Sequence, residues 1–225
     1  MKGVRSLAIV AAIASLAFIG LMFLPLPVLA SDNKDKSFEF SVHPDVFIGK
    51  AGECGTGYPA GNPIVAADWE KGYGLPDKPE KGRHHGEDNQ ALLLSKDGLT
   101  TDCSSAGAEI KGVKGITLTE LGFDIRNGGH CGAGAPRFNV NATDGFHFLG
   151  GCANGTKTLN TPAPGWMRVR IDPTNAGQAF PPITPGATIK SIEIVFDEGV
   201  DTGPDFSGFA ILDNIDINGT LVGRQ

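Results

Sequence analysis

The stretch from Leu121 to Cys152 most constrains the fold, because short segments of alternating apolar and polar residues follow one another in it. These segments are Leu121–Arg126, Arg137–Asn141 and Phe146–Leu149, and the turn signal Asp144-Gly145 precedes the last one. Alternation with a period of two is typical of β-strands with one buried face, and Asp-Gly favours a tight hairpin turn. The stretch therefore predicts antiparallel strands with one dry face and one polar face.

Strand alternation assigns each side chain of this stretch to one of the two faces. The predicted dry face carries Phe123, Ile125, Phe138, Val140, Phe146 and Phe148. The predicted polar face carries Asp124, Arg126, Arg137, Asn139, Asn141 and His147.

Similar short segments recur along the chain and predict an all-β fold, a two-sheet antiparallel β-sandwich of the jelly-roll type. The 32 glycines and 15 prolines fit many short strands joined by turns. Residues 38–225 are predicted to form this single domain, with a long irregular loop region over residues 48–90 that holds either a strand near Ile64-Val65 or a helical turn at 66–69. The other predicted strands are 38–42, ended by His43-Pro44, then 91–94, 107–113, 116–126, 165–171, 191–196 and 209–218.

Residues 1–30 have the three parts of a secretory signal peptide: basic residues, an apolar run and a small residue at Ala30. An uncleaved membrane anchor is the alternative, against which Pro25 and Pro27 argue because they interrupt a helix. We therefore expect a secreted or cell-surface protein with no membrane span after cleavage and a disordered start over residues 31–37. The formal net charge of −6 argues against a nucleic-acid partner.

Four cysteines follow the signal, and an exported protein is expected to join them as disulfides. Cys131 and Cys152 flank the predicted hairpin, so folding about its turn brings them to similar heights. This leaves Cys54 to pair with Cys103. Metal binding by these thiols is the weaker alternative, because no two of them have the spacing of a zinc knuckle.

Several motifs together resemble a group of exported bacterial proteins of no established activity: Phe123-Asp124, 135–139, Gly165-Trp166, 192–198 and 212–215. The closing segment Leu212-Asp-Asn-Ile215 also resembles the last strand of galactose-binding-like jelly rolls, which include many carbohydrate-binding modules. This resemblance implies a glycan ligand and a structural calcium ion (Ca²⁺), which would be held by Asp213 and Glu39.

Alternation itself places Asp213 on one face with Ile211, Ile215 and Ile217. A buried carboxylate must be compensated, so the sequence predicts either a cation or several hydrogen-bond donors around Asp213.

The predicted ligand surface is the polar face, where arginines could contact anionic groups and Trp166 could stack on a sugar ring. The alternative is that the arginines form cross-strand pairs with Asp124, Glu193 and Asp172. The candidate ligand-binding residues are Arg126, Arg137, Asn139, His147, Trp166, Arg168 and Arg170.

Other polar clusters have simpler explanations than a site. The cluster His84, His85, Glu87 and Asp88 could bind a metal or belong to a solvated loop, and the acidic loop of Asp197, Glu198, Asp201 and Asp205 fits turn chemistry better than calcium. Asn141, Asn154 and Asn218 begin glycosylation motifs that also suit turns. Asp124 and Glu193 could in principle form the carboxylate pair that glycoside hydrolysis needs, but outward polar positions on a half-buried sheet explain them more simply.

The sequence thus favours a non-catalytic module that binds an extracellular or cell-surface glycan. The alternatives are a structural or adhesive surface protein and, third, a glycoside-active enzyme.

Overall fold

The computed structural model describes residues 39–76 and 89–223, and the regular elements of these ranges are β-strands and a single 3-10 turn. Short alternating segments separated by Gly and Pro favour such strands. The strands are β1 Ser41–Ile48, β2 Val65–Glu70, β3 Ala91–Lys96, β4 Ser104–Lys111, β5 Leu121–Arg126, β6 Arg137–Ala142, β7 Gly145–Gly150, β8 Thr156–Leu159, β9 Trp166–Ile171, β10 Ala179–Phe180, β11 Ile189–Phe196, β12 Phe209–Ile217 and β13 Thr220–Val222. The 3-10 turn is Cys152–Asn154.

The strands form two antiparallel sheets packed against each other. The six-stranded sheet has the order β1-β4-β11-β6-β7-β10. The seven-stranded sheet has the order β2-β3-β12-β5-β9-β8, with β13 paired to β12. The predicted two-sheet antiparallel β-sandwich is confirmed.

The core lies between the sheets and is built from the inward residues of each strand. Phe123 of the seven-stranded sheet and Phe138 of the six-stranded sheet are both fully buried, with ring centroids 5.8 Å apart. Their burial contributes stability in proportion to the apolar area removed from water, at about 25 cal/mol per Å². The predicted inward positions Ile192, Ile194 and Phe196 of β11 are likewise buried.

The hairpin of β6 and β7 is present, but the predicted orientation of β7 is wrong. Ala142 pairs with Gly145, which places His147 opposite Val140 on the inner face. Phe146 points outward and is 52% exposed. Alternation alone could not choose between the two orientations, because each face of β7 carries an apolar residue.

Three predicted segment boundaries also differ from the structure. The first strand does not end at His43-Pro44, because β1 continues to Ile48. Proline is tolerated there since β1 is an edge strand paired only with β4. The predicted strand 116–126 is regular only as β5, and the ordered piece near Ile64 is the strand β2 and not a helical turn.

Both predicted disulfides are confirmed: Cys54 is bonded to Cys103, and Cys131 to Cys152. Disulfides are compatible with an extracellular location. In residues 39–76 and 89–223 there is no helix of the length and apolar character that a membrane crossing requires.

Some expectations concern residues outside the described ranges. These are the export signal (1–30), the disordered start (31–37) and the cluster of His84, His85, Glu87 and Asp88.

Candidate functional site

The predicted ligand-binding residues do not share one surface. β5 pairs with β9 in the seven-stranded sheet, whereas the β6–β7 hairpin belongs to the other sheet. The expectation of a single polar face is therefore wrong. The outer face of the seven-stranded sheet carries Arg126, Trp166, Arg168 and Arg170; the outer face of the six-stranded sheet carries Arg137 and Asn139; and His147 points inward.

Arg168 forms an ion pair with a carboxylate on the neighbouring strand. Its Nε and Nη2 donate hydrogen bonds to both oxygens of Asp124, at 2.9 and 3.1 Å, and the Asp124 side chain is fully buried. The Asn214 side-chain amide donates a third bond to Asp124 at 2.8 Å. The bonds from Arg168 to Asp124 raise the pKa of the guanidinium above its ordinary value.

Arg170 likewise forms an ion pair with a buried carboxylate, whereas Arg126 lies beside an aromatic ring. Nε of Arg170 lies 2.8 Å from Oδ2 of the buried Asp216, whose other oxygen accepts a bond from the Gly219 amide at 2.7 Å. The Arg126 guanidinium lies 5.9 Å from the centroid of the Tyr73 ring. Cross-strand pairing, the alternative that the sequence left open, thus describes this face.

Trp166 is not available for stacking on a ligand. Its side chain is only 7% exposed, because Leu75 packs over the outer face of the seven-stranded sheet beside it and Ile211. This indole stabilises a small apolar cluster and does not form a platform.

Arg137 lies on the other outer face, where Asp197 binds it through two hydrogen bonds of 2.5 and 2.8 Å. Its Nε donates to Oδ1 of Asn139 at 3.0 Å, and its guanidinium lies 4.8 Å from the centroid of the Phe148 ring. A bidentate pair of this kind fixes the guanidinium plane. Its positive charge is therefore neutralised inside the protein.

His147 is buried on the inner face of this sheet, and both of its ring nitrogens have hydrogen-bond partners within the protein. Its Nδ1 lies 2.9 Å from the carbonyl oxygen of Pro181 and its Nε2 lies 3.0 Å from Oδ1 of Asp144. The ring thus ties the β6–β7 turn to the segment after β10, and it does not reach a ligand on the outer face.

Asp213 is buried as predicted, but on the opposite face from the one expected. A register irregularity follows it in β12, and Asn214 has φ +46°, so Ile215 and Ile217 face the core while Asp213 faces outward beneath Leu75. Its carboxylate accepts backbone N–H bonds from Leu75 at 2.8 Å and from Asn214 at 2.6 Å.

These donors compensate the charge of Asp213 in the way that the sequence offered as the alternative to a cation. Glu39 is exposed and precedes β1 of the other sheet, so the structure does not bring the two suggested calcium ligands together. Among residues 39–76 and 89–223 there is no group of three or more His, Cys, Asp or Glu side chains arranged for a metal ion.

The acidic loop between β11 and β12 holds a buried histidine. Nδ1 of His130 lies 2.7 Å from Oδ1 of Asp205 and Nε2 lies 2.8 Å from Oε2 of Glu198, so the ring is held between two carboxylates of the loop. Burial alone would raise the pKa of Asp205, but bonds from His130 and Ser207 outweigh it and hold the pKa below its ordinary value. These carboxylates thus join loops through a buried histidine, a role that the sequence interpretation of this loop did not include.

All three glycosylation motifs have asparagine amides in internal hydrogen bonds, including Asn141, whose amide donates to the Ser191 hydroxyl at 3.1 Å. The Asn218 amide donates to the Thr117 carbonyl at 2.8 Å, and the Asn154 amide donates to the Gly150 carbonyl at 2.8 Å. The third asparagine, Asn141, is exposed on the outer face of the six-stranded sheet.

That outer face carries a line of side chains that runs straight across all six strands. Directly paired residues in an antiparallel sheet project from the same face, and five successive pairings connect one residue from each strand. We call this line the cross-strand row. In order from β1 to β10 it consists of His43, Glu109, Glu193, Asn139, Phe148 and Phe180.

The row is exposed except at Asn139 and Phe148, which are half-buried beside the Arg137 side chain, and it changes character along its length. His43, Glu109 and Glu193 are exposed at one end and in the middle, and Phe180 is 45% exposed at the other end. The rings of Phe148 and Phe180 meet edge to face with centroids 6.4 Å apart. Hydrogen-bonding groups thus lie beside aromatic rings on one accessible surface.

Glu193 is the distinctive residue of the row. Within the described part of the chain its carboxylate makes no hydrogen bond or ion pair, whereas Glu109 is paired with Lys111. Partial burial against the sheet surface, together with the negative charges of Asp45 and Glu109, raises the pKa of Glu193 above its ordinary value, and the nearby charge of Arg137 opposes this rise. It is therefore a carboxyl group that remains available to a ligand.

Sequence reasoning found only part of this surface. Asn139 and Glu193 were expected to point outward, but Phe148 was assigned to the core and Glu109 was overlooked. The outward alternation of Glu109 and Lys111 in β4 was a usable signal. Phe180 was not, because it lies in a two-residue strand within a Pro-rich connection.

The fold and this surface define the class of the protein, a disulfide-linked two-sheet β-sandwich with an open polar and aromatic sheet face. A scan against protein-family models gives no match, and neither the search of curated proteins nor that of solved structures gives one. The geometry of the fold and of this sheet face therefore carries the assignment of function.

Proposed function

We propose that this is an exported carbohydrate-binding protein and that the outer face of the six-stranded sheet is its binding site. The observation that carries the proposal is the cross-strand row, in which carboxylate and amide groups lie beside two phenylalanine rings, the half-buried Phe148 and the exposed Phe180. Sugar hydroxyls require such acceptors and donors, and the apolar face of a sugar ring packs on an aromatic ring. Export is supported by the signal-like residues 1–30 and by the two disulfides.

The charges on this face favour a glycan without acidic groups. The guanidinium of Arg137 is paired with Asp197, and Glu193 forms no ion pair among the described residues, although the charge of Arg137 acts on its carboxyl group. A carboxylate or sulfate on the ligand would be repelled there. The anionic glycan that the sequence suggested loses its basis, because it required unpaired arginines.

The test is a glycan array with the mature protein, followed by calorimetric titration of the glycans that bind. Glu193→Gln is expected to weaken binding about tenfold, the loss of a charge-assisted hydrogen bond. Arg126→Ala is the matched control, since Arg126 is an exposed residue on the opposite face. Absence of binding by the folded wild type, or equal loss in the control, contradicts the proposal.

A glycoside-active enzyme is a second candidate, favoured by one observation. Glu109 and Glu193 are directly opposite on neighbouring strands, and burial raises the pKa of Glu193. A pair of carboxyl groups with one of raised pKa is what acid-assisted glycoside hydrolysis requires. Release of reducing sugar by the wild type, abolished in Glu193→Gln with glycan binding retained, would establish catalysis in place of binding alone.

A further inference from the structure

The cross-strand row has a length and a direction that limit the shape of a ligand. It crosses six strands, and neighbouring strands in a sheet are about 4.8 Å apart, so its two ends are separated by roughly 24 Å. The separation of two strands is close to the length of one pyranose unit. A single terminal sugar would therefore cover only a small part of the row.

The accessible residues occur along the whole row and do not converge on one pocket. His43 on β1 and Phe180 on β10 are exposed at opposite edges of the sheet, and Glu193 is exposed near its middle. A site for one terminal sugar would instead gather its polar groups around a concave pocket.

Among the described residues, the middle of the outer face of the second sheet is less accessible. Its outer face is covered by Leu75 next to Trp166, and its arginines are paired with Asp124 and Asp216.

We infer that the ligand is a linear, uncharged polysaccharide that lies across the strands and is bound through an internal stretch of several sugar units. This inference rests on the proposed function. Consecutive sugar units along the chain contact successive members of the row, one strand to a unit. The hydroxyl groups meet Glu109, Glu193 and Asn139, and sugar rings near one end of the site pack against Phe180.

The two ends of the row differ, so the bound chain has a preferred polarity. One end offers imidazole and carboxylate groups, from His43 and Glu109, and the other offers phenyl rings. A glycan chain is itself directional, and only one orientation places each sugar unit against the same groups.

The experiment is calorimetric titration with neutral β-linked glucan, xylan, mannan and galactan oligosaccharides, each series running from disaccharide to hexasaccharide. For the series that binds, we expect affinity to rise with each added unit up to about the hexasaccharide, the length at which each of the six strands meets one unit. Phe180→Ala and His43→Ala remove opposite ends of the row. Each is expected to weaken binding of the longest oligosaccharides roughly fivefold or more and to leave disaccharide binding much less affected.

Leu159→Ala is the matched control, because Leu159 is 69% exposed on β8 of the other sheet. Affinity that stops rising at the disaccharide, or that is unchanged by both end substitutions while Glu193→Gln abolishes binding, overturns the linear-chain inference and leaves the proposed function standing. A folded wild type that binds no oligosaccharide in any series and no glycan on the array overturns both.

Discussion

Asp144 and Glu193 are carboxylates of the same sheet region whose pKa values are displaced in opposite directions. The backbone N–H of Thr184 donates to Asp144 at 2.7 Å, and this bond, helped by the Thr184 hydroxyl and His147 against the opposing effect of burial, lowers the pKa of Asp144 to about 2. Glu193 has no such donor in the described residues, and burial raises its pKa. Hydrogen-bond donors therefore decide which carboxylate is structural and which is free for a ligand.

Asp144 gives a prediction for acid stability. Its pKa is lower in the folded protein than the usual 3.8, so its stabilising effect is present above about pH 4 and is lost as the pH falls toward 2. The free energy of unfolding of the wild type should therefore decrease more steeply over this interval than that of Asp144→Asn. Denaturant titrations at several pH values measure both slopes. Parallel slopes would show that the bond from Thr184 does not depend on the ionised carboxylate.

At the scale of elements, alternation located the strands but failed where a strand departs from regular pairing. β5 and β11 have regular pairing over their central residues, and their inward residues were predicted correctly. In β12 the irregularity at Asn214 interrupts the alternation. Asp213 therefore lies on the outer face, although unbroken alternation predicts that it shares the core face with Ile215 and Ile217. One extra residue in a strand leaves no clear mark in a hydrophobic pattern, so alternation cannot detect it.

The division of strands between sheets was the other element-scale error, and it affected the site most. Sequence neighbours such as β5 and β6 were assumed to share a sheet, although they lie in different sheets of the sandwich. Arg137 and Arg168 were consequently placed on one surface. Pairing between distant strands depends on the whole topology and cannot be obtained from local alternation.

Lys96, the last residue of β3, holds the loop between β3 and β4 and was not recognised from the sequence. Its side chain is fully buried, and its ammonium donates to the backbone carbonyls of Thr100, Asp102 and Ser104 at 3.3, 3.1 and 2.8 Å. It also lies 3.0 Å from the Asp102 carboxylate. An ammonium surrounded by four oxygens has the compensation that a buried charge requires.

Lys96→Met is therefore expected to destabilise the protein strongly. Removing one partner of a buried ion pair costs about 3 to 5 kcal/mol, because the Asp102 carboxylate and the carbonyl oxygens lose their donor. Chemical denaturation measures the change in the free energy of unfolding. Lys111→Met is the matched control, since Lys111 also pairs with a carboxylate but is 52% exposed, and it should change stability by less than about 1 kcal/mol. Similar losses in both variants would contradict a special role for Lys96.

At the scale of the whole molecule, one end of the sandwich is closed by loops that are joined to one another. The Thr100 hydroxyl donates to Oδ1 of Asp201 at 2.8 Å, and the buried His130 links two carboxylates of the same acidic loop. The Cys54–Cys103 and Cys131–Cys152 disulfides anchor the loops beside them. These linked loops adjoin the ends of β4, β11 and β6, which carry the middle of the cross-strand row.

The molecule should therefore depend on its disulfides and not on calcium. Each disulfide closes a long loop, with sequence separations of 49 and 21 residues, and constrains the unfolded chain by about 2 to 4 kcal/mol. Complete reduction is expected to lower the melting temperature by roughly 10 °C or more, at about 2 to 4 °C per kcal/mol for a domain of this size.

A chelator should leave the melting temperature unchanged, because two backbone N–H groups already compensate the charge of Asp213. Differential scanning calorimetry of the mature protein with reductant, with chelator and with chelator followed by calcium measures all three conditions. A fall with chelator that calcium restores would show that a cation stabilises the fold, and Asp213→Asn would then test whether Asp213 binds it.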